Sequence, residues 1–301
     1  MNIVWATSES VPYAKTGGLA DVSSALPKAL ARRGHSIHVI MPYYPQQMAK
    51  LNLKFDAVHE MLGVPFGGAN EWAQIRILKV EKNLTCCFIE FNRFYDRATL
   101  YDWNGSEYPD NAQRFIFFSR AVMQTVLALG LHPDILHLND WHCALCSVYL
   151  RSSLYSGFRN FADCRSVMTI HNIGYQGVYD QGNLYWTGLG WEYFNFRCLE
   201  FYNRMNLLIA VLEKRAGYFF GNLDVYINIV GGIALRDTAC DLAVCLSMVS
   251  SLLDRPVSDK LIAIGEVGLG GEVRSVPNLE QRLHEAERIG FERAVIPKHS
   301  L

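Results

Sequence analysis

The stretch NIVWATSESVPYAKTGGLADVSSALPKALARRGHSIHVIMP, residues 2–42, decides the fold. It begins with a short apolar strand at 2–6 and continues through a glycine-containing loop into a helix that ends near Gly34. A second apolar strand follows at 35–42. This order of strand, loop, helix and strand is typical of a doubly wound parallel sheet, whose ligands bind at the carboxyl ends of the strands. The sequence therefore predicts a Rossmann-like α/β domain at the start of the chain.

The loop before the first helix carries the segment Lys15-Thr16-Gly17-Gly18. Its order matches neither the P-loop nor the GxGxxG dinucleotide motif. Two adjacent glycines allow backbone N–H groups to approach a phosphate closely, and the start of a helix favours negative charge. Lys15 adds a mobile positive charge, and Asp21 could accept a hydrogen bond from a sugar hydroxyl. A tight turn with a surface lysine explains the same residues about equally well.

Two later strands each end in a cluster of polar residues. PDILHLNDWHCAL (133–145) runs into Asp140, and SVMTIHNIGYQGVY (166–179) runs into His171 and Asn172. A single histidine is usually a structural residue, but the ends of two parallel strands meet at one edge of a sheet. The sequence therefore predicts a site that combines these residues with the glycine loop.

Composition and charge limit the classes of partner. The chain has 301 residues and a formal net charge of −1, so no overall field favours nucleic acid or a membrane. Its start lacks the basic and apolar regions of a signal peptide, and no apolar run reaches the length of a membrane span. These features predict a cytoplasmic protein. Cys143 and Cys146 form a CxxC, which we interpret as packing on a buried helix in preference to a metal or redox pair.

The motifs of the first two-thirds of the chain together resemble those of bacterial glycogen and starch synthases. The resemblance rests on KTGGLADV (15–22), FYDR (94–97), LNDWH (138–142) and TIHNIGYQG (169–177), and it covers residues 1 to about 202. It implies the GT-B arrangement of two Rossmann-like domains and the retaining transfer of glucose from ADP-glucose to an α-1,4-glucan. Residues 1–202 would form the N-terminal, acceptor-side domain.

The same resemblance implies roles for individual residues. Asp140 would be a catalytic residue, and His171 would lie beside the reacting sugar and help to stabilise developing charge. The residues implied to bind substrate are Lys15, Gly17 and Gly18 at the diphosphate, Asp21 and Tyr95 at the glucosyl and acceptor cleft, and Asn172. No metal ion and no cofactor is implied, because ADP-glucose is the donor substrate. A leaving diphosphate needs positive charge where negative charge develops, and Lys15 supplies part of it.

In the synthases, a second Rossmann domain supplies most of the nucleotide site. Residues 203–301, which follow Tyr202, are too few to form that domain and do not resemble it. A cleft with a single wall does not exclude water from the reaction. We therefore predict that this chain alone has little or no glucosyltransferase activity.

Residues 203–301 resemble the C-terminal domain of bacterial RadA (Sms) DNA-repair proteins, which is similar to the proteolytic domain of Lon proteases. The resemblance rests on NRMNLLIAVLEKRAG (203–217), DVYINIVGG (224–232), GEVGLGGEVRSVP (265–277) and ERAVIPK (292–298). It implies a part in ring assembly and in contacts with DNA. The serine and lysine of a Lon-type protease are replaced near Ala239 and at Glu280, and the chain contains no Walker A sequence. The tail would therefore lack protease and ATPase activity.

The pattern of this tail predicts a small α+β domain. Apolar positions predict helices at 203–217 and 241–254 and an amphipathic helix at 278–291. Alternating apolar residues predict a strand at 224–230. Residues 261–276 predict two strands around a glycine turn, and 293–297 predict a last strand.

We therefore predict two domains, 1–202 and 203–301, with a seam near Tyr202–Asn203. Three interpretations stay open: a synthase-like transferase domain, an assembly or nucleic-acid-associated module built on the tail, and an artefactual fusion of the two. Self-assembly through 203–301 belongs to the second interpretation. Arginines of the tail alternate with acidic residues, which favours a mixed solvated surface over a nucleic-acid patch.

Overall fold

A computed structural model of the chain describes residues 1–172, 174–196, 198–208, 237–252, 255–268 and 272–298. Contacts divide the chain into two units, Met1–Gly217 and Tyr218–Leu301, and each unit is described by itself. The division falls within residues 209–236, which lie outside the described residues. The seam predicted at 202/203 and the two domains that it separates therefore stay a prediction.

A seven-stranded sheet forms the centre of the first unit, in the order β3-β4-β5-β2-β1-β8-β9. The strands of this unit are β1 (Asn2–Ala6), β2 (Ser36–Pro42), β3 (Ala57–Phe66), β4 (Ala69–Glu81), β5 (Leu84–Glu90), β6 (Asp102–Trp103), β7 (Ser106–Glu107), β8 (Ile135–Asn139), β9 (Arg165–Thr169), β10 (Val178–Asp180), β11 (Glu200–Phe201) and β12 (Arg204–Asn206). Strands β5, β2, β1, β8 and β9 run parallel, whereas β3 and β4 are antiparallel. The predicted α/β class with a mostly parallel sheet is confirmed.

The helices of the first unit connect these strands. They are α1 (Gly18–Arg32), α2 (Pro45–Met48), α3 (Asn92–Tyr95), α4 (Asn111–Ala128), α5 (Trp141–Arg151) and α6 (Leu184–Thr187), with 3-10 turns at Ala49–Leu51, Arg159–Phe161, Gln181–Asn183 and Trp191–Tyr193. Helix α1 buries Leu19, Ser23, Pro27 and Ala31, which are spaced four residues apart and so share one face. Helix α4 is buried along most of its length.

The central strands are buried because they are continuous apolar runs. Val4, Trp5 and Ala6 of β1 and Leu136 and Leu138 of β8 have almost no exposed surface. Such runs are expected of parallel strands that are covered on both faces. These strands fix the positions at which their carboxyl-terminal loops begin.

The antiparallel hairpin of β3 and β4 at one edge of the sheet is not anticipated by the sequence analysis. Gly67 and Gly68 join the two strands with φ values of 58° and 80°, as a tight two-residue turn requires. A Cβ on Gly67 would lie 2.4 Å from the Trp186 ring, so a glycine is needed at this position for space as well.

The second unit contains two helices and four short strands among its described residues. The helices are Asp241–Leu252 and Leu279–Arg288, a 3-10 turn spans Thr238–Cys240, and the strands are β13 (Leu261–Ala263), β14 (Glu266–Val267), β15 (Val273–Arg274) and β16 (Arg293–Val295). Strands β14 and β15 pair antiparallel, whereas residues 269–271 of the predicted glycine turn lie outside the described residues. Strand β13 pairs parallel with β16. A small core is formed by Ala239, Ile264, Val276 and Leu279.

The helix predicted at 203–217 is wrong over its first residues. Arg204–Asn206 is a strand that pairs with Val178–Asp180 on one side and Glu200–Phe201 on the other. Met205 and Leu208 are buried in the core of the first unit, and a strand followed by a turn buries them as well as a helix would. The remainder of this prediction and the strand predicted at 224–230 lie outside the described residues.

Candidate functional site

Three loops that carry predicted site residues leave neighbouring strands at the same edge of the sheet. Strand β1 pairs with β2 on one side and with β8 on the other, and β8 pairs with β9. The strand that follows β1 in the chain, β2, lies on one side of β1 in the sheet, and the later strands β8 and β9 lie on its other side. In open α/β sheets, ligands bind at such a reversal of strand order. The sequence prediction that these loops come together therefore agrees with the topology.

The glycine loop after β1 is held by the carboxylate of Glu9, whose surface is 3 % exposed. Glu9 Oε2 accepts hydrogen bonds from the backbone N–H of Thr16 at 2.5 Å and from that of Gly17 at 3.3 Å. Glu9 Oε1 accepts from the Thr16 hydroxyl at 2.6 Å and from the Tyr101 hydroxyl at 2.7 Å. Gly17 precedes the first residue of α1, so the carboxylate lies at the amino-terminal end of that helix.

Lys15 and Asp21 form an exposed ion pair beside this loop. The Lys15 ammonium donates to the two carboxylate oxygens of Asp21 at 2.7 and 2.8 Å. Their side chains are 50 % and 56 % exposed, so the pair contributes little to stability. Each partner is accessible for exchange with a ligand group.

Asp140 links the ends of β8 and β9. Its Oδ1 accepts a hydrogen bond from the backbone N–H of His171 at 2.7 Å, and its own N–H donates to the Thr169 carbonyl at 2.9 Å. Burial raises the pKa of the Asp140 carboxyl, and the backbone N–H groups of His171 and Asn172 oppose that shift by stabilising the carboxylate.

The imidazole of His171 is oriented by Asn139 at the end of β8. His171 Nε2 lies 3.1 Å from Asn139 Oδ1, and the Asn139 amide nitrogen donates to the Ala6 carbonyl at 3.0 Å. An amide oxygen only accepts, so this contact requires a proton on His171 Nε2. Nearby, burial and the neighbouring His171 lower the pKa of His137 to about 4. The Asn139 side chain thus connects the ends of β1 and β8 to the loop after β9.

Stacked rings form the floor between these loops. The Tyr101 ring lies 4.7 Å from the His142 ring, and the His142 ring lies 4.1 Å from that of Trp141. Burial lowers the pKa of His142 well below its ordinary value, so the ring is neutral. A Cβ on Gly177, whose φ is 66°, would lie 2.5 Å from Trp141. The indole therefore packs directly against the loop that follows His171.

These elements enclose a cleft of about 840 Å³. Among the predicted site residues, Gly17, Gly18, Asp140, His171 and Asn172 line it. Others in its wall include Glu9, Asp102, Glu107, Tyr101, Trp141, His142 and Tyr175. A Cβ on Gly17 or Gly18 would meet no atom within 4 Å in the part of the chain that the structure describes, so the space in front of the glycine loop is open.

Three predicted residues do not line the cleft. Lys15 and Asp21 are paired to each other beside the glycine loop. Tyr95 is fully buried, and its hydroxyl donates to the Arg114 carbonyl at 3.1 Å. The prediction that Tyr95 lines the cleft is wrong, because its ring packs against Tyr44 and Phe94 in the core.

Glu9 and Tyr101 are not singled out by the sequence alone. Neither residue belongs to a recognised motif, and they are 92 positions apart in the chain. The one local signal for Glu9 is its position: it is an isolated acidic residue in the short segment between an apolar strand and the glycine loop.

No group of three or more His, Cys, Asp or Glu side chains in the described parts of the chain could hold a metal ion. Cys143 and Cys146 are fully buried, and burial raises the pKa of Cys146 to about 12. The pKa of the Cys143 thiol is raised as well, so burial disfavours the thiolate form of both cysteines. Of the helices that the structure describes, none is both long and apolar enough to cross a membrane.

Comparison with known proteins identifies two regions of similarity. The family model described as starch synthase catalytic domain matches residues 2–214. A model described as subunit ChlI of Mg-chelatase matches residues 205–300. The first match supports the predicted glycogen and starch synthase resemblance, whereas the second does not confirm a RadA-type domain.

Individual relatives cover the same part of the chain. The glycogen synthase of Koribacter versatilis is 40 % identical over 212 residues, which are 70 % of this chain and 43 % of that protein. The glycogen synthase of Thermodesulfovibrio yellowstonii is 36 % identical over 222 residues, and the match covers 69 % of this chain and 44 % of that protein. The chain thus spans less than half the length of these relatives.

A solved structure shows the same fold. It is the catalytic domain of Starch Synthase IV from Arabidopsis thaliana, bound to ADP and acarbose. The match has a TM-score of 0.58 and 29 % sequence identity, and it covers 69 % of this chain and 42 % of that one.

Proposed function

The chain belongs to the starch synthase catalytic domain family, and from that premise we propose that its cleft is the glucan-side half of a glucosyltransferase site. The reaction would transfer glucose from ADP-glucose to an α-1,4-glucan with retention of configuration. The observation that carries the proposal is that the glycine loop and the Asp140–His171 pair line one cleft at the reversal of strand order.

The chemistry of the cleft wall suits a carbohydrate. Carboxylates of Asp102, Glu107 and Asp140 can accept hydrogen bonds from sugar hydroxyls, and His171 offers a further polar group. The flat faces of Trp141 and Tyr175 offer apolar contact to a sugar ring. The similar starch synthase domain was solved with ADP and acarbose, which supports a nucleotide and a glucan-like ligand for this cleft.

In the proposed reaction, the bond between glucose C1 and the diphosphate oxygen breaks, and a bond to a hydroxyl oxygen of the glucan forms. ADP leaves with the bonding electron pair, and the proton of the attacking hydroxyl passes to the leaving diphosphate oxygen. Lys15 would leave its ion pair with Asp21, pair with the phosphate and so offset negative charge on the diphosphate. His171, oriented by Asn139, would lie beside the reacting sugar, and Asp140 would hold the backbone of His171 in place.

Affinity electrophoresis tests glucan binding. Native gels that contain glycogen should slow the chain relative to gels without it, while gels that contain dextran should not. Unchanged mobility in glycogen gels would remove the proposed glucan site.

We further propose that the 301-residue polypeptide by itself transfers little glucose. The residues that line the described cleft all belong to the first unit, and the matched region is less than half the length of the glycogen synthases. Incubation with labelled ADP-glucose and glycogen measures the transfer directly, and robust turnover would overturn this part of the proposal.

The RadA-like interpretation of residues 203–301, with assembly or DNA contacts, stays a hypothesis. The described arginines of this unit favour a mixed surface, since Arg274 contacts Glu266 and Glu272, and Arg282 contacts Asp237. An artefactual fusion and a cytoplasmic location likewise stay predictions from the sequence. Amplification of the coding sequence across the seam from source DNA tests whether the fusion is natural.

A further inference from the structure

Glu9 is a buried carboxylate that the proposed reaction does not use. It follows strand β1 and contacts two separate segments, the glycine loop at Thr16 and Gly17 and the loop that contains Tyr101. A buried carboxylate is stable only when hydrogen bonds replace its lost water, and Glu9 receives four of them. The side chain therefore joins two walls of the cleft through a single charged group.

If Glu9 were absent, a ligand phosphate could bind at the position that this carboxylate occupies. Backbone N–H groups at the start of a helix attract anions, and those of Thr16 and Gly17 already donate to Glu9 Oε2. The helix end is thus neutralised by a residue of the chain itself. A phosphate that approached these two amides would meet a negative charge.

We propose that Glu9 is a positioning residue. Its carboxylate fixes the glycine loop against Tyr101 and occupies the backbone N–H groups of Thr16 and Gly17, so that ligand anions do not bind them. The inference rests on the proposed function, because the loop that Glu9 fixes is one wall of the proposed glucan cleft. What remains for a ligand at this wall is the open space in front of Gly18, with Lys15 beside it.

Two roles of Glu9 can be separated by substitution. In Glu9→Gln, the amide oxygen can accept from Thr16 N–H and Gly17 N–H, while the amide nitrogen can donate to the Thr16 and Tyr101 hydroxyl oxygens. This variant therefore keeps the geometry of the contacts and removes the charge. Glu9→Ala removes both.

The experiment compares Glu9→Gln and Glu9→Ala with the full wild-type chain. Glu60→Gln, a charge removal at an exposed position of β3, is the matched control. Three quantities are measured: amide hydrogen exchange of residues 9–22, affinity for maltoheptaose, and affinity for inorganic pyrophosphate at low salt.

We expect exchange at Thr16 and Gly17 to accelerate by about 10-fold or more in Glu9→Ala, because hydrogen bonds to a charged group are lost. Exchange in Glu9→Gln should stay near that of the wild type. Affinity for maltoheptaose should fall about 10-fold in Glu9→Ala and be largely retained in Glu9→Gln. Affinity for pyrophosphate should rise about 3- to 10-fold in Glu9→Gln, since a nearby negative charge is removed. Glu60→Gln should change none of these.

Unchanged exchange in Glu9→Ala would overturn the proposal, as would equal loss of maltoheptaose affinity in both variants or unchanged pyrophosphate affinity in Glu9→Gln. If Glu9→Ala does not fold, the pyrophosphate measurement on Glu9→Gln decides the outcome. If the wild type binds no maltoheptaose, the proposed function fails, but exchange and pyrophosphate binding still test Glu9.

Discussion

The carboxylate of Asp140 accepts a 2.7 Å hydrogen bond from the backbone N–H of His171, across the ends of two neighbouring strands. Asp140 adopts this position with φ 56° and ψ 179°, a backbone conformation that only glycine adopts readily. Holding a residue with a side chain there costs about 1–3 kcal/mol. The hydrogen bond to His171 offsets part of that cost, so the strain accompanies a residue of the candidate site.

Substitution of Asp140 separates the hydrogen bond from the strain. Asp140→Ala loses the carboxylate and keeps the strained backbone, so we expect a loss of about 2–3 kcal/mol in the free energy of unfolding. Asp140→Gly loses the carboxylate but relieves the strain, and it should be more stable than Asp140→Ala by about 1 kcal/mol. Urea unfolding followed by tryptophan fluorescence measures both. A glycine variant no more stable than the alanine variant would show that the strain is absent.

Acidification should destabilise the first unit. Burial lowers the pKa of His137 to about 4 and also lowers that of His142, whereas an unfolded histidine titrates near 6.5. Between these values the unfolded chain binds protons that the folded chain does not, so stability rises with pH and is lost as pH falls from about 6.5 towards 4. The raised pKa of Asp140 acts in the opposite direction at the lower end of this range.

His142→Phe provides the matched variant for this pH dependence. Phenylalanine keeps a ring between Tyr101 and Trp141 and removes a titrating group whose buried Nδ1 has no hydrogen-bond partner among the described residues. The slope of unfolding free energy against pH between 5 and 6.5 should become shallower by up to about 1.4 kcal/mol per pH unit. A slope identical to that of the wild type would mean that His142 is not responsible.

Tyr95 should matter for stability and not for glucan binding. Tyr95→Phe removes the hydrogen bond to the Arg114 carbonyl and keeps the ring in the core, so we expect a loss of about 1 kcal/mol in unfolding free energy. Affinity for maltoheptaose, measured by calorimetry, should not change. A large loss of affinity at unchanged stability would restore the cleft role that the family resemblance implies.

The tail should bind DNA weakly at most. Arg274, Arg282 and Arg288 each contact a carboxylate, which leaves less unbalanced positive charge for phosphates. In a gel-shift experiment with duplex and single-stranded DNA, we expect no retardation at physiological salt. Retardation that weakens steeply with added salt would instead support the RadA-like interpretation of residues 203–301.

The parts of the fold that the sequence predicts are those with local signals. Strands such as β1 and β8 are apolar runs that end abruptly at polar residues, and the pairing of β14 with β15 follows from the glycines between them. Parallel pairing then brings the ends of β1, β8 and β9 together, which is why Asp140 and His171 line the same cleft as the glycine loop.

The parts that the sequence does not predict depend on contacts between distant residues. Nothing in the local pattern links Glu9 to Tyr101, and a motif cannot tell whether the Tyr95 ring points into the cleft or into the core. The segment at 204–206 shows the limit of periodicity, since its buried Met205 fits a helix and a short strand equally well.

Calorimetric titration of maltoheptaose into three proteins, the wild type, Gly18→Leu and Gly157→Leu, tests whether this cleft binds an α-1,4-glucan. A Cβ at either glycine meets no atom of the described residues within 4 Å, so both variants should fold, but only Gly18 faces the cleft. We expect the wild type and Gly157→Leu to bind with equal affinity and Gly18→Leu to bind at least about 10-fold more weakly, because the added side chain occupies the ligand's space. Binding by Gly18→Leu that equals the wild type, or no binding by the wild type, would contradict glucan binding in this cleft.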